Sequence, residues 1–294
     1  MTATVPGRTA RWVAGARPRT LPASVAPVIV GAAVARPVPT AWGRLVLCAI
    51  VALSLQIATN FANDYADGVR GTDERRVGPL RLTATGLASP AAVRAAAFAF
   101  FAVAAAAGLW LAALTSWWLL AVGAAAILAG WGYTGGPRPY GYLGLGELFV
   151  FVFFGLVATV GTTYCLTMQF PVLAVVAGAA MGAFACALLD ANNLRDVAGD
   201  LASGKRTLAV RLGRRRGGAL YVGFVGAAFA LGVICALWRP GAVAVLAAAP
   251  LAAAPVRTVR SDANGPALLP VLAGTARLQL VASAVLALGI WATA

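Results

Sequence analysis

The chain has 294 residues, of which 61% are apolar and only 11% charged, and its mean hydropathy is +0.84. A soluble domain carries about 25% charged residues, so a soluble globular fold and intrinsic disorder are both excluded. The net charge of +14 comes from 23 Lys and Arg against 9 Asp and Glu with no soluble basic segment, which points to basic loops at a membrane face and away from nucleic acid.

The apolar residues form long runs broken by Gly, Pro and Arg, not alternating stretches of about ten residues, which argues against a β-barrel. The expected class is an all-α integral membrane protein forming one polytopic domain over 1–294. The N-terminal MTATVPGRTARWVAGARPRTLPASVAPVIV is basic, then apolar, and lacks a convincing cleavage site. It reads as the entry into a first helix, not as a signal peptide. Nine spans follow, near 20–35, 41–64, 90–114, 116–134, 145–168, 172–193, 217–237, 241–257 and 275–293. The first and eighth are short and contain proline, which neighbouring helices make tolerable.

The second span runs into NFANDYADGVRGTDERRVGPLR, residues 60–81. Asn60, Asp64 and Asp67 stand at i, i+4, i+7 on one helical face, and Asn63 and Asp67 are also i, i+4. Carboxylates and amides at a helix end, followed by Asp73 and Glu74, form an oxygen-rich site of the kind Mg²⁺ prefers. The connection after the fourth span reads GWGYTGGPRPYGYLGLGELFVFVFF, residues 130–154. There Tyr133, Tyr140 and Tyr142 flank a turn carrying Arg138, and Glu147 opens the next helix. Aromatic faces can stabilise an allylic carbocation by cation–π contact; the competing reading is an interfacial aromatic belt. Trp12, Trp42, Trp110, Trp117, Trp118 and Trp238 read mostly as belt residues.

The sixth span leaves through LLDANNLRDVAGDLASGKRTLAVRLG, residues 188–213. Asn193, Asp196 and Asp200 stand at i, i+3, i+7, with Arg195, Lys205, Arg206 and Arg211 close by. Asp190, deeper in the span, is costly in a membrane and should face a polar interior. Cys48, Cys165, Cys186 and Cys235 lie inside apolar runs and read as small buried hydrophobes.

An N-terminus on the cytoplasmic side puts 20 of the 23 basic residues on that side and leaves Arg36, Arg44 and Arg239 opposite. All nine acids fall on the cytoplasmic side as well. The two longest polar connections, 65–89 and 194–216, also lie there and read as caps over a cavity mouth. Two facing sets of carboxylates with Lys and Arg beside them are suited to hold a diphosphate through bridging Mg²⁺ and to neutralise it as it leaves. A membrane location suggests that the rest of that ligand is a lipid.

NDYAD followed by GTD, RVGPLR and TGL, with NNLRDVAGD, GKRTLAVRLG and YTGGPRPYGY, resembles the UbiA-type intramembrane prenyltransferases over about residues 11–290. RVGPLR and YTGGPRPYGY favour the branch that makes demethylmenaquinone. The resemblance implies nine helices around a central, lipid-open cavity under cytoplasmic cap loops. Its first motif falls on Asn63, Asp64 and Asp67, and its second on Asp196 and Asp200 with Asn193 before them. Where the family often places a further Asp, this chain has Gly71 and then Asp73.

On this basis Asp64, Asp67, Asp196 and Asp200 are the expected metal ligands, with Asn60, Asn63 and Asn193 as supports. Lys205, with Arg138, Arg70 or Arg81, would meet the departing diphosphate, and Tyr133, Tyr140 and Tyr142 would line the substrate. The implied cofactor is Mg²⁺, with Mn²⁺ as a substitute. The implied substrates are a polyprenyl diphosphate and 1,4-dihydroxy-2-naphthoate, drawn from membrane lipid and solution. Two other readings compete. One is the same fold with 4-hydroxybenzoate or a sugar phosphate as acceptor. The other is a secondary transporter, against which the crowding of acids at one face counts, because transporters place such groups near the midplane.

Overall fold

The computed structural model describes residues 7–36, 41–72, 80–261 and 263–294. Among them the structure is helical, with no strand. Helix α1 (Arg8–Ala16) is short and ends at Arg17, which takes the left-handed conformation. A 3-10 turn, Pro18–Thr20, leads into α2 (Pro22–Ala35), and the pair is bent by 50° at the break. Next come α3 (Trp42–Val69), α4 (Pro90–Leu114) and α5 (Leu119–Gly132). Ser89 caps α4 by accepting from the Ala92 amide, and Pro90 at the first helical position fixes the start.

Helix α6 (Gly146–Thr167) is wound as a π-helix over Phe151–Val157. Helices α7 (Val172–Ala202) and α8 (Leu208–Ile234) follow, the latter kinked at Gly213, whose φ is 71°. Helix α9 (Pro240–Arg260) is 3-10 over Pro240–Ala252 and α over Ala253–Arg260. Helix α10 (Leu269–Ala292) completes the order. Seven of these helices are long and apolar enough to cross a membrane. The bent α1–α2 pair is long and apolar enough only when its two pieces are taken together, and α5 is apolar but only 14 residues long.

Close backbone approach organises the packing, as expected where lipid removes most hydrophobic drive between helices. A Cβ on Gly155 of α6 would lie 2.5 Å from Gly182 Cα and 2.6 Å from Gly178 O of α7. A Cβ on Gly289 of α10 would collide with the Gly241 carbonyl oxygen of α9. Tyr221, Phe184, Met181, Leu278 and Leu286 fill the main core around α7. Large apolar side chains cover the outside: Trp42, Trp110, Trp117 and Leu128 are exposed, as a bilayer-facing surface requires. Trp12 instead packs edge-on against Phe61, with ring centroids 5.7 Å apart. All four cysteines are free and buried, as expected.

The main departure from the sequence expectation lies at the helix ends. The spans expected to stop near 64 and 193 continue as helix to Val69 and Ala202. The acidic motifs therefore ride on helix, as the helical spacings of Asn60, Asp64 and Asp67 and of Asn193, Asp196 and Asp200 supposed, and only the span boundaries move. Inward-facing polar partners, described next, hold these extra turns.

Candidate active site

Two cavities meet where the last turns of α3 and α7 converge. The larger, about 1040 Å³, has mostly apolar walls, among them Leu55, Val122, Phe153, Leu188 and Leu272. The smaller, about 60 Å³, is polar and brings Asp67, Asp196, Asp200 and Lys205 together. Arg17, Asn63, Arg81, Tyr133 and Asn192 line both and form the throat between them.

The residues of the first motif diverge in role around α3. Asp67 is a hub: its Oδ1 accepts from the Tyr142 hydroxyl at 2.7 Å and its Oδ2 from Lys205 Nζ at 3.1 Å. Arg81 Nη2 stands 3.9 Å from the same Oδ2. Asn63 lies at the throat, and its Oδ1 accepts from Thr134 Oγ1 at 2.7 Å. Asp64, 0% exposed, points elsewhere and lines neither cavity. Its two oxygens accept from the Leu82 and Thr83 amides at 2.8 and 2.9 Å, pinning the segment that carries Arg81. Asn60 lines the large cavity and donates to Ala16 O and Thr20 Oγ1, while Gln56 donates to its Oδ1. It thus ties the α1–α2 corner to α3. Asp73, Glu74 and most of RVGPLR lie outside the described residues.

From α7, Asn192, Asn193, Asp196 and Asp200 face the small cavity. Arg195 forks onto Asp196, with Nε and Nη2 at 2.7 and 2.6 Å from its two oxygens. Such a bidentate pair is among the stronger side-chain contacts. Asn193 donates to Glu147 Oε1 at 2.9 Å, so Glu147 stands behind the site and orients it. Asp190 is fully buried behind the same wall, lines neither cavity, and its oxygens have no hydrogen-bond partner. Lys205 is aimed inward because its own amide donates to Asp200 O, closing the turn after α7.

The tyrosine segment folds across the mouth. Tyr142 is on the small cavity, with Lys205 Nζ 4.7 Å from its ring centroid and Arg70 5.5 Å away. Burial and the adjacent Asp67 carboxylate push its phenol well above the ordinary tyrosine value, so it stays protonated and donates. Tyr140 lines the large cavity and stacks on Phe149 at 3.9 Å; Tyr133 meets it edge-on at 5.5 Å. Arg70 lines neither cavity and donates to the Thr134 and Gly136 carbonyls, latching this turn to α3. Arg138 is exposed and also lines neither.

Arg17, Thr134 and Thr207 reach the site without having been singled out in the sequence. The cluster GARPRTLP was the available signal, but its arginines serve equally well as topology markers. Among the described residues no three Asp, Glu, Cys or His groups cluster tightly enough to cage a metal alone. The small cavity offers carboxylate and amide oxygens and no thiol, and the chain has no His. That set fits Mg²⁺ held by one or two carboxylates and completed by phosphate oxygens and water.

The UbiA prenyltransferase family matches residues 24–268. The chain is 48% identical over 273 residues to the 1,4-dihydroxy-2-naphthoate octaprenyltransferase of Mycobacterium tuberculosis, covering 92% of this chain and 94% of that protein. Its fold is that of a UbiA homologue from Aeropyrum pernix K1, with a TM-score of 0.69 and 18% identity over 93% of this chain and 98% of that one. A UbiA homologue from Archaeoglobus fulgidus, solved with DMAPP and Mg²⁺ bound, matches with a TM-score of 0.62 and 17% identity over 94% of this chain and 99% of that one.

Proposed function

The chain belongs to the UbiA prenyltransferase family, and from that premise we propose that it transfers a polyprenyl group from polyprenyl diphosphate to 1,4-dihydroxy-2-naphthoate. The products are diphosphate, CO₂ and demethylmenaquinol. The observation that carries this is the joining of a small polar cavity, holding Asp67, Asp196, Asp200 and Lys205, to a large apolar one. One suits a diphosphate and the other a lipid chain beside a flat ring.

In this reading Asp67, Asp196 and Asp200, with Asn63 and Asn193, would hold Mg²⁺, or Mn²⁺ in its place. The metal supplies charge neutralisation to the leaving diphosphate. Lys205 and Arg81 stand at the same carboxylate and meet the charge that grows on the leaving oxygen as the C–O bond breaks. Tyr133 and Tyr140 turn aromatic faces to the allylic cation across the throat. The ring carbon bearing the carboxylate attacks, the new C–C bond forms, and the electrons of the carboxyl C–C bond return to the ring as CO₂ departs. Asp64 acts one step back, by fixing the segment that presents Arg81.

Helices α2 to α10 make nine crossings in this reading. The N-terminus, the polar cavity and its covering segments lie on the cytoplasmic side. The 20-to-3 division of basic residues supports that orientation.

Purified protein supplied with carboxyl-labelled naphthoate, a polyprenyl diphosphate and Mg²⁺ is expected to release labelled CO₂ in step with lipid product. Prenylation of 4-hydroxybenzoate, with none of the naphthoate, would overturn the acceptor and leave the ionisation chemistry in place.

A further inference from the structure

Of the four cations on the wall of the large cavity, three are accounted for. Arg195 is committed to Asp196, Arg81 stands at Asp67, and Arg19 is exposed. The fourth, Arg17, differs. Its Nε and Nη2 are buried at the throat with no hydrogen-bond partner, a costly state for a charged donor unless a ligand completes it.

The backbone around Arg17 is arranged to keep that side chain in place. Arg17 has φ 53° and ψ 68°, a conformation at the end of α1 where glycine is the comfortable residue. A glycine there would relax the turn and delete the guanidinium. The flanking Ala16 carbonyl and Thr20 hydroxyl both accept from Asn60, which Gln56 holds in turn. A buried chain of amides on α3 therefore positions the corner from which Arg17 projects.

Resting on the aromatic-acceptor reading above, we infer that Arg17 grips the carboxylate of the acceptor and selects an aromatic acid over the neutral phenol of the same shape. An anionic ring entering an apolar chamber needs a desolvated counter-charge. A guanidinium fork matches a carboxylate in two parallel bonds. Arg17 also borders the chamber large enough for a bicyclic ring, whereas the 60 Å³ cavity already sets Lys205 and Arg81 against Asp67.

The test compares wild-type protein in nanodiscs with Arg17→Gln and Arg17→Lys. Two non-reacting probes, 1-hydroxy-2-naphthoate and 1-naphthol, are titrated, and KM is measured for naphthoate and for geranyl diphosphate. Arg17→Gln is expected to weaken the naphthoate probe and raise the naphthoate KM by about 10-fold or more. Binding of 1-naphthol and KM for the diphosphate should stay within about twofold. Arg17→Lys, which keeps the charge without the fork, should fall between, and it decides the matter if the Gln variant does not fold. A naphthoate KM that moves less than about threefold, equal losses for the two probes, or a shift confined to the diphosphate KM would each overturn the role of Arg17. Wild-type protein that neither binds nor prenylates naphthoate would reject the function as well, and this outcome is distinct from the other three.

Discussion

Less than one helical turn separates Asp64 from Asp67, yet their surroundings give them different partners. Asp64 spends both oxygens on the Leu82 and Thr83 amides. Asp64→Asn leaves one of these amides facing an NH₂ group, and should cost about 1.5–3 kcal/mol of stability. We expect a lower unfolding temperature in detergent with prenyl transfer retained by the folded fraction. Asp67→Asn should instead lower kcat of the folded fraction by about 10²–10³-fold. If Asp64→Asn loses turnover to the same degree at unchanged melting temperature, this division of roles is wrong. Tyr142 gives a pH test. Its folded-state pKa is raised, so its contribution to stability is fully present below the ordinary tyrosine value of about 10 and is lost as pH rises above that. Alkaline denaturation scans of Tyr142→Phe should lack that part of the decline. The i, i+4 pairing of Asn63 with Asp67 was legible in the sequence, but the same periodicity put Asp64 on one face with Asn60 and Asp67, and the structure turns Asp64 away from both cavities. What Asp64 touches was not legible, because its partners are main-chain amides that carry no residue signature.

At the scale of elements, the apolar runs located the helices but not their ends. Hydropathy stops where polar residues begin, whereas α3 and α7 continue because those residues find partners inside the bundle. The π-wound stretch of α6 and the 3-10 winding of α9 were equally illegible, since Phe151–Val157 and Pro240–Ala252 read as ordinary apolar helix. The glycines offered more than was taken from them: Gly178 and Gly182 have the spacing of a close helix contact, and the structure supplies Gly155 as the partner. Gly155→Val forces side-chain carbons into the backbone of α7, for which overpacking costs typically run to about 1–3 kcal/mol. We expect reduced thermal stability and aggregation on extraction, read by size-exclusion chromatography. The same change at Gly123, where a Cβ meets nothing, serves as control.

At the scale of the whole molecule, the meeting of two motifs about 130 residues apart rests on topology and not on local pattern. That they belong together was legible from their matching chemistry: two helix ends, each bearing amides and acids on one face. The throat was not legible, because Arg17 reaches it through a left-handed corner that no periodicity announces. The oxygen-only donor set predicts that a chelator abolishes prenyl transfer and that Mg²⁺ or Mn²⁺ restores it. Full turnover in excess chelator would exclude the ion-bridged diphosphate.

The pairing of Lys205 with Asp67 and of Arg195 with Asp196 has a consequence for how substrates arrive. Within the polar cavity Asp67 and Asp196 each already carry a cation of their own. An anion entering alone would claim a lysine or arginine and strand a buried aspartate, and a metal entering alone would strand the base. When both come together, Asp67, Asp196, Lys205 and Arg195 each exchange one partner for another and none of the four is orphaned. The site thus behaves as a lock that two keys must turn at once, and neither diphosphate nor divalent ion should hold it tightly without the other.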